Sequence, residues 1–234
     1  MVSDINQPVL HHQAIAILGG TGKEGKGLAY RLAKNGYPVF IGSRSPEKAN
    51  AVATELTNSL YNKVTIRGDS NIKVVEKAGI IILTVPYSSH RDMLETVKGA
   101  LKGKLLIDVT VPLAPPITTR VRMPSAGSAA QEAHEILGDD VQVTSAFQNI
   151  SYEQLLHDEV IDCDVLVTGT SKEARLETLK LVANAGFTGW DAGPIENSMV
   201  AEGLTSVLLG INKQFKSKSA GIRITGVHST GQQP

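Results

Sequence analysis

The sequence of 234 residues has very little cysteine and no excess of charge of either sign. Its single cysteine, Cys163, excludes an internal disulfide framework and a multi-cysteine metal site, and it is typical of a reducing compartment. Basic and acidic residues number 23 each, so no bulk attraction to nucleic acid or to a membrane surface is expected. An anionic ligand would therefore depend on local clusters of charge.

Long apolar runs are also missing. No stretch approaches the roughly 20 residues that a membrane-spanning helix needs. The first residues lack the basic and apolar regions of a secretory signal, so we expect a cytoplasmic protein with a loose tail at residues 1–12. His11 and His12 are adjacent and cannot share a helix face, and no other set of three ligands appears, so no metal site is predicted.

The order of apolar patterns predicts an α/β fold. Short apolar runs at residues 14–18, 79–86 and 104–112 indicate buried strands, and helical periodicity recurs between them. This alternation is typical of a Rossmann-type, doubly wound and mainly parallel sheet. We expect residues 13–150 to form that domain and residues 151–234 to form a small C-terminal α/β part.

A long helix is predicted near the C-terminus, from about residue 195 to residue 218. Apolar residues recur along one face of it: Val200, Leu204, Val207, Leu208 and Ile211. A chain of this length has little left to cover such a stripe. We therefore expect a homodimer that forms through this helix.

The segment GTGKEG, from Gly20 to Gly25, matches the pattern G-x-G-x-x-G of a phosphate-binding turn. It follows a predicted strand and opens a predicted helix, which is the context that the motif requires. Gly20 is expected to allow the tight turn, Gly22 to let a pyrophosphate approach, and Gly25 to let helix and strand pack closely. The helix N-terminus then offers N–H groups and a partial positive charge to the phosphates.

Ser43 and Arg44 follow the second predicted strand, where an NAD-binding chain usually has an acidic residue that bonds the ribose hydroxyls. An acid would repel a 2′-phosphate, whereas a hydroxyl and a guanidinium suit it. Lys48 lies about one helical turn further on, and Thr21 adds a hydroxyl on the adenosine side. The sequence therefore predicts NADP rather than NAD as the ligand.

The residues of several reductase mechanisms are missing. The one Tyr-x-x-x-Lys pair, Tyr30 and Lys34, lies in the first predicted helix, which runs away from the expected cleft. The C-terminal part is too short for the all-helical domain of a β-hydroxyacid dehydrogenase. We therefore predict that no side chain acts as a catalytic acid or base, as in hydride transfer between two carriers that the protein only orients.

Several segments together resemble the NADPH-dependent F420 reductases, also called F420H2:NADP oxidoreductases. They are the glycine turn with the following GSR, then LTVP, VTSAFQNIS, DAGPIENS and AGIRITGV, and the similarity runs from about residue 14 to residue 227. The resemblance implies a Rossmann domain with a small C-terminal part and two coenzymes, NADP and F420. It also implies direct hydride transfer between nicotinamide C4 and deazaflavin C5.

The resemblance further implies which residues contact each ligand. Four residues would line the pyrophosphate: Thr21, Gly22, Lys23 and Glu24. Three would hold the 2′-phosphate: Ser43, Arg44 and Lys48. Two would flank the ribose and nicotinamide, Tyr87 and Val111, and three would lie where the two rings meet, namely Gln148, Ile150 and Tyr152. Archaeal members of the family carry a histidine and a proline where this chain has Gln148 and Ser151.

Two alternatives stay open: an NADP-dependent reductase of an imine, flavin or quinone, and a non-catalytic NADP sensor. Loops with polar or proline residues at 84–90, 109–116 and 146–151 meet at one predicted sheet edge, which favours an enzyme.

No acidic residue follows Glu202, and cations cluster after it: Lys213, Lys216, Lys218 and Arg223. Such a patch suits the phosphodiester and glutamate tail of F420.

Overall fold

The computed structural model describes residues 13–156 and 158–227. Within these ranges eight strands form one sheet: β1 Ile15–Leu18, β2 Val39–Ser43, β3 Ile66–Ser70, β4 Ile80–Leu83, β5 Leu105–Asp108, β6 Gln142–Ser145, β7 Asp164–Gly169 and β8 Thr188–Pro194. Eight α-helices accompany them: α1 Lys23–Lys34, α2 Pro46–Ser59, α3 Asn71–Glu76, α4 His90–Leu101, α5 Ala129–Leu137, α6 Tyr152–Leu155, α7 Lys172–Asn184 and α8 Ser198–Phe215. The predicted tail at residues 1–12 lies outside the described residues.

The strand order is β3-β2-β1-β4-β5-β6-β7-β8, and every neighbouring pair is parallel except β6 and β7. After β3 the chain crosses back over the sheet, and it adds β4 on the other side of β1. In sheets of this kind the ligands bind beside the carboxyl ends of the strands, at this switch point. The predicted doubly wound, mainly parallel fold is therefore confirmed.

The inner strands are covered on both faces. Ile15 and Ile17 of β1 are fully buried in one core with Leu28 of α1, whereas Ala16 and Leu18 are fully buried in a second core that includes residues of α3 and α4. A strand buried on both faces has no polar side to present. This explains why β1 appears in the sequence as a continuous apolar run rather than as an alternating pattern.

The predicted C-terminal helix is present as α8, preceded by a 3-10 turn at Ile195–Asn197. It ends at Phe215 rather than at residue 218, because Lys216 adopts a left-handed φ of 53°. The predicted apolar stripe of this helix is only partly buried. Leu208 is buried, whereas Val200 and Val207 are exposed. Only part of the apolar surface of α8 is therefore left for a partner.

Residues beyond 151 continue the same sheet, because β7 and β8 extend it past β6. The described C-terminal segment also returns to the sheet, where the main-chain N–H of Asp164 donates to the carbonyl of Ile222 at 2.8 Å. The predicted division between residues 150 and 151 stays a prediction. None of the helices in the described ranges is both long enough and apolar enough to cross a membrane.

Candidate functional site

A large cleft runs along the carboxyl edge of the sheet at the switch point. Its volume of about 1210 Å³ exceeds the roughly 300–1,000 Å³ of a typical single-ligand pocket. One end is formed by the glycine turn, the ends of β2 and β3, and α4. The other end is formed by residues 147–152, the C-terminal half of α8 and residues 218 and 220. This size and shape suit two ligands that meet inside one cleft.

Twelve of the fourteen predicted binding residues line this cleft: Thr21, Gly22, Lys23, Glu24, Ser43, Arg44, Lys48, Tyr87, Val111, Gln148, Ile150 and Tyr152. The other two, Gly20 and Gly25, are not part of its wall among the described residues. The structure thus brings residues from distant parts of the chain to one surface. Their individual contacts with ligand groups stay predictions.

The glycine turn differs from its prediction in one residue. The positive φ that makes the turn tight, 72°, belongs to Gly19 and not to Gly20. Gly20 is needed for another reason, because a Cβ there would lie 2.8 Å from the main-chain oxygen of Ile17. At Gly25 a Cβ would lie 2.6 Å from the Cα of Gly20, so the predicted close packing of helix and strand is present.

The fold constrains Gly22 less than it constrains Gly20 and Gly25. It is the N-cap of α1, it is exposed, and its φ of −73° is accessible to any residue. A Cβ there would meet one atom within 4 Å, the main-chain oxygen of Gly19 at 3.3 Å. The first N–H groups of an α-helix have no partners within the helix. The bare backbone at Gly22 therefore leaves room for an anion to lie against the start of α1.

Ser43, Arg44 and Lys48 form a cationic corner at the end of β2. The Oγ of Ser43 accepts a hydrogen bond from the main-chain N–H of Ser45 at 3.2 Å. Ser45 in turn caps α2, where its Oγ accepts from the main-chain N–H of Lys48 at 3.3 Å. This local turn brings Lys48 back to the cleft beside Arg44. Two exposed cations and a hydroxyl in one corner suit a phosphate dianion.

Glu24 is the one acidic residue of the glycine turn. Its Oε1 is buried and has no hydrogen-bond partner among the described residues. Burial raises the pKa of this carboxyl to about 8. The group therefore stays largely protonated near neutral pH, which removes the repulsion that a carboxylate would exert on a diphosphate in the same cleft.

We expect NADPH binding to weaken as the pH rises through about 8. A bound diphosphate favours the protonated form of Glu24, so the carboxylate that forms at higher pH opposes binding. Between about pH 6 and about pH 9.5, the Kd of the native protein should rise about tenfold more than that of Glu24→Gln, whose side chain cannot ionise. Parallel pH curves for the two proteins would contradict this role of Glu24.

At the other end of the cleft, Gln148 is buried and firmly held. Its Nε2 donates to the main-chain oxygen of Asp108 and to the Oγ of Ser145, both at 2.8 Å. Its own main-chain oxygen accepts from the Oγ1 of Thr205 in α8 at 2.9 Å. The side chain is therefore fixed by β5 and β6, and its backbone by α8.

Tyr152 lies at the mouth of the cleft and connects its two ends. The Nζ of Lys23, in the glycine turn, is 3.3 Å from the hydroxyl of Tyr152 and 4.6 Å from the centre of its ring. The contact combines a hydrogen bond with a cation–π interaction, and each contributes a modest free energy at an exposed site. It places Lys23, which is predicted to line the pyrophosphate, against the predicted ring-contact segment.

Other residues of the cleft were not predicted. One group ends or follows strands β3, β4 and β5: Ser70, Thr84 and Thr110. The strand pattern of the sequence could have identified these three as cleft residues, because polar residues at the carboxyl ends of parallel strands meet at one edge of the sheet. A second group comes from α8: Thr205, Leu208 and Asn212. No local pattern marks that group, since the face of a helix that meets a cleft is decided by tertiary packing.

The predicted cationic cluster after Glu202 is partly neutralised. Arg223 forms an ion pair with Asp162 at 2.5 Å, and the Nζ of Lys218 lies 3.7 Å from Glu153. Both acids come from an earlier part of the chain, so the local sequence does not show them. Lys218 also lines the second end of the cleft. It is thus the member of the cluster best placed to meet an anionic ligand there.

Comparison with known proteins agrees with this geometry. Residues 14–112 match the family model described as NADP oxidoreductase coenzyme F420-dependent. The F420-dependent NADP reductase of Methanocaldococcus jannaschii is 38% identical over 221 residues, which are 91% of this chain and 98% of that protein. The enzyme of the same name from Methanothermobacter marburgensis is 39% identical over 220 residues, with the same shares of the two chains.

The fold has a counterpart among solved structures. A crystal structure of a proposed F420-dependent NADP reductase from Arthrobacter sp. FB24 has a TM-score of 0.76 at 21% identity, and the match covers 92% of this chain and 100% of that one. This likeness concerns the fold, whereas the two archaeal relatives match over nearly their whole length at well above 30% identity. The resemblance predicted from short segments is confirmed, and the chain belongs to the family of the F420-dependent NADP reductases.

Proposed function

We propose that this protein transfers a hydride between NADP(H) and the deazaflavin coenzyme F420. The observation that carries the proposal is the cleft of about 1210 Å³ with two chemically different ends, in a chain of the F420-dependent reductase family. One end offers the glycine turn and a corner with Arg44 and Lys48, which suit a dinucleotide phosphate. The other end is lined by amide, aromatic and apolar groups, which suit a flat ring.

The chain's own residues bind and orient the ligands. The bare backbone at Gly22 and the start of α1 receive the pyrophosphate, and Arg44 with Lys48 binds the 2′-phosphate. When bound, the nicotinamide and deazaflavin rings supply the hydride donor and acceptor. No histidine or cysteine lines the cleft within the described ranges, and Tyr30 and Lys34 contact Asp158 outside it. We propose that the protein contributes orientation and exclusion of water, and that none of the titratable side chains in the cleft wall acts as a catalytic acid or base.

An assay with purified F420 tests the proposal. We expect that mixing the protein with NADPH and F420 causes loss of the deazaflavin absorbance, and that NADH in place of NADPH gives a much slower loss. Imines, free flavins and quinones serve as competing acceptors in parallel reactions. Tight NADPH binding without F420 turnover would refute the proposal. Turnover of another acceptor would then favour a reductase of that compound, and turnover of none would favour an NADP sensor.

We also propose a homodimer that forms through α8. Its outer face exposes Val207 and Phe215, and the neighbouring loop adds Val121, which packs against Gly203 of α8. An exposed apolar surface on a helix and an adjacent loop is typical of an interface.

The single cysteine is consistent with our further proposal that the protein is cytoplasmic.

Light scattering tests the dimer. We expect the native protein to have twice the chain mass at micromolar concentration and Val207→Lys to be monomeric, because a lysine at the centre of the apolar surface would bury an unpaired charge. Val160→Lys is the matched control, since Val160 is 92% exposed on a different segment. A monomeric native protein, or a dimeric Val207→Lys variant, would refute the interface.

A further inference from the structure

A buried histidine–aspartate pair lies beneath the cleft and is not part of its wall. The Nε2 of His90, in α4, is 2.7 Å from the Oδ2 of Asp108 at the end of β5, and the two side chains are 0% and 1% exposed. Neither residue lines the cleft. Burying such a pair costs desolvation that its mutual attraction often does no more than balance. Stability is therefore a weak explanation for it.

Asp108 holds two residues of the cleft wall. Its Oδ1 accepts a hydrogen bond from the main-chain N–H of Thr110 at 2.9 Å, and its main-chain oxygen accepts from Gln148 Nε2 at 2.8 Å. Both Thr110 and Gln148 line the cleft. The position of Asp108 thus sets the loop after β5 and the side chain at the second end of the cleft.

The other neighbour of His90, Glu132 of α5, holds a third wall residue. Its Oε2 is 3.7 Å from the Nδ1 of His90 and accepts a hydrogen bond from the hydroxyl of Tyr87 at 2.8 Å. Tyr87 lines the cleft and its ring lies 5.8 Å from that of His90, measured between centres. Arg91 pairs with the second oxygen of Glu132. His90 therefore lies between the two acids that anchor Tyr87, Thr110 and Gln148.

The charges around His90 keep it protonated more readily than usual. Burial lowers its pKa, but the charge and hydrogen bond of Asp108 and the charge of Glu132 outweigh burial and raise the pKa overall, with Arg91 opposing them. On α8, Glu202 also faces this cluster. Its carboxyl oxygens accept hydrogen bonds from the N–H groups at the start of α5, and burial raises its pKa to about 8. The cluster therefore joins α4, β5, α5 and α8 behind the cleft.

We propose that the His90–Asp108 pair is a positioning unit for the cleft wall, which holds Tyr87, Thr110 and Gln148 in the geometry that NADP(H) binding requires. The proposal rests on the proposed function only in taking NADP(H) as the ligand. The pair touches no ligand itself. It acts through the three wall residues, so its loss should appear in affinity and not only in stability.

The first test removes both partners together. The variant His90→Leu, Asp108→Leu leaves no unpaired charge in the pair, and apolar replacements of buried ion pairs are often neutral for folding. We expect it to melt cooperatively and to bind NADPH about tenfold or more weakly in a fluorescence titration. A pair with a merely structural role would change the melting temperature and leave the Kd unchanged. A folded double variant with the native Kd would overturn the proposal.

The second test does not depend on that variant folding. His90→Gln keeps an amide N–H that reaches the position of Nε2, whereas the shorter His90→Asn does not reach Asp108. Both substitutions are neutral and polar. We expect the glutamine variant to bind NADPH within about threefold of the native Kd and the asparagine variant about tenfold more weakly. Equal Kd values for the two variants would also overturn the proposal.

A matched surface pair provides the control. His134 lies 3.7 Å from Asp139, whose side chain is fully exposed. The variant His134→Leu, Asp139→Leu makes the same chemical change and should leave the Kd unchanged. All these titrations contain NADPH and no acceptor. These tests therefore remain valid even if the protein does not reduce F420. The Kd values alone decide whether the His90–Asp108 pair positions the cleft wall.

Discussion

Gly22→Val is expected to lower the affinity for NADPH by about a thousandfold or more, roughly 4 kcal/mol, without unfolding the protein. The valine carbons would occupy the space in which a pyrophosphate lies against the start of α1. We expect the fold to accommodate a side chain there with a small shift, because the backbone φ is ordinary and the new Cβ would have one tight contact, with the main-chain oxygen of Gly19 at 3.3 Å. Fluorescence titration with NADPH and a thermal melt measure the two effects separately.

Two other glycines make this prediction specific. Gly25→Ala should impair folding itself, because its Cβ would lie 2.6 Å from the Cα of Gly20. Gly99→Ala, in α4, should lower neither the affinity for NADPH nor the stability of the fold, since nothing lies within 4 Å of a Cβ at that position. A folded Gly22→Val protein that binds NADPH within tenfold of the native Kd would show that the pyrophosphate does not lie on this turn.

Arg44→Ala is expected to weaken NADPH binding by about 1.5–3 kcal/mol, or about 10- to 150-fold, the range for hydrogen bonds to charged groups. NADH binding should barely change, because NADH has no 2′-phosphate. The discrimination between the two dinucleotides would therefore collapse in this variant. Paired titrations with NADPH and NADH at one ionic strength measure it directly.

Arg67→Ala is the control for charge alone. Arg67 is an exposed arginine of the neighbouring strand β3 that does not line the cleft. Its loss lowers the net charge by the same amount, so it should affect NADPH and NADH equally and weakly. Equal losses for both nucleotides in Arg44→Ala would mean that Arg44 attracts the dinucleotide as a whole and does not recognise the 2′-phosphate.

The dinucleotide end of the cleft could be predicted because its determinants are local in sequence. A strand, a glycine turn and a helix follow one another within 20 residues, and Ser43, Arg44 and Lys48 lie at or just after the end of the next strand in the same way. Each of these positions is fixed by the geometry of its own βα connection. Even the error, the positive φ at Gly19 instead of Gly20, amounts to one residue.

The second end was predicted less completely because it is assembled from segments far apart in sequence. Thr205 meets the backbone of Gln148 across 57 positions, and His90 meets Asp108 through a packed interior. Neither contact follows from periodicity or from a motif. Family resemblance placed Gln148 at this end, but the hydrogen bonds that hold it became visible only in the folded chain.

The antiparallel strand β7 has a consequence for how such proteins can diversify. Because β7 runs opposite to β6, the connection between them needs no crossover helix, and residues 147–152 at the start of this connection line the cleft. Insertions or substitutions in this stretch can reshape the acceptor end while β1, β2 and the glycine turn stay as they are. A library confined to residues 149–152 should therefore yield proteins with new acceptors and an undiminished preference for NADPH over NADH.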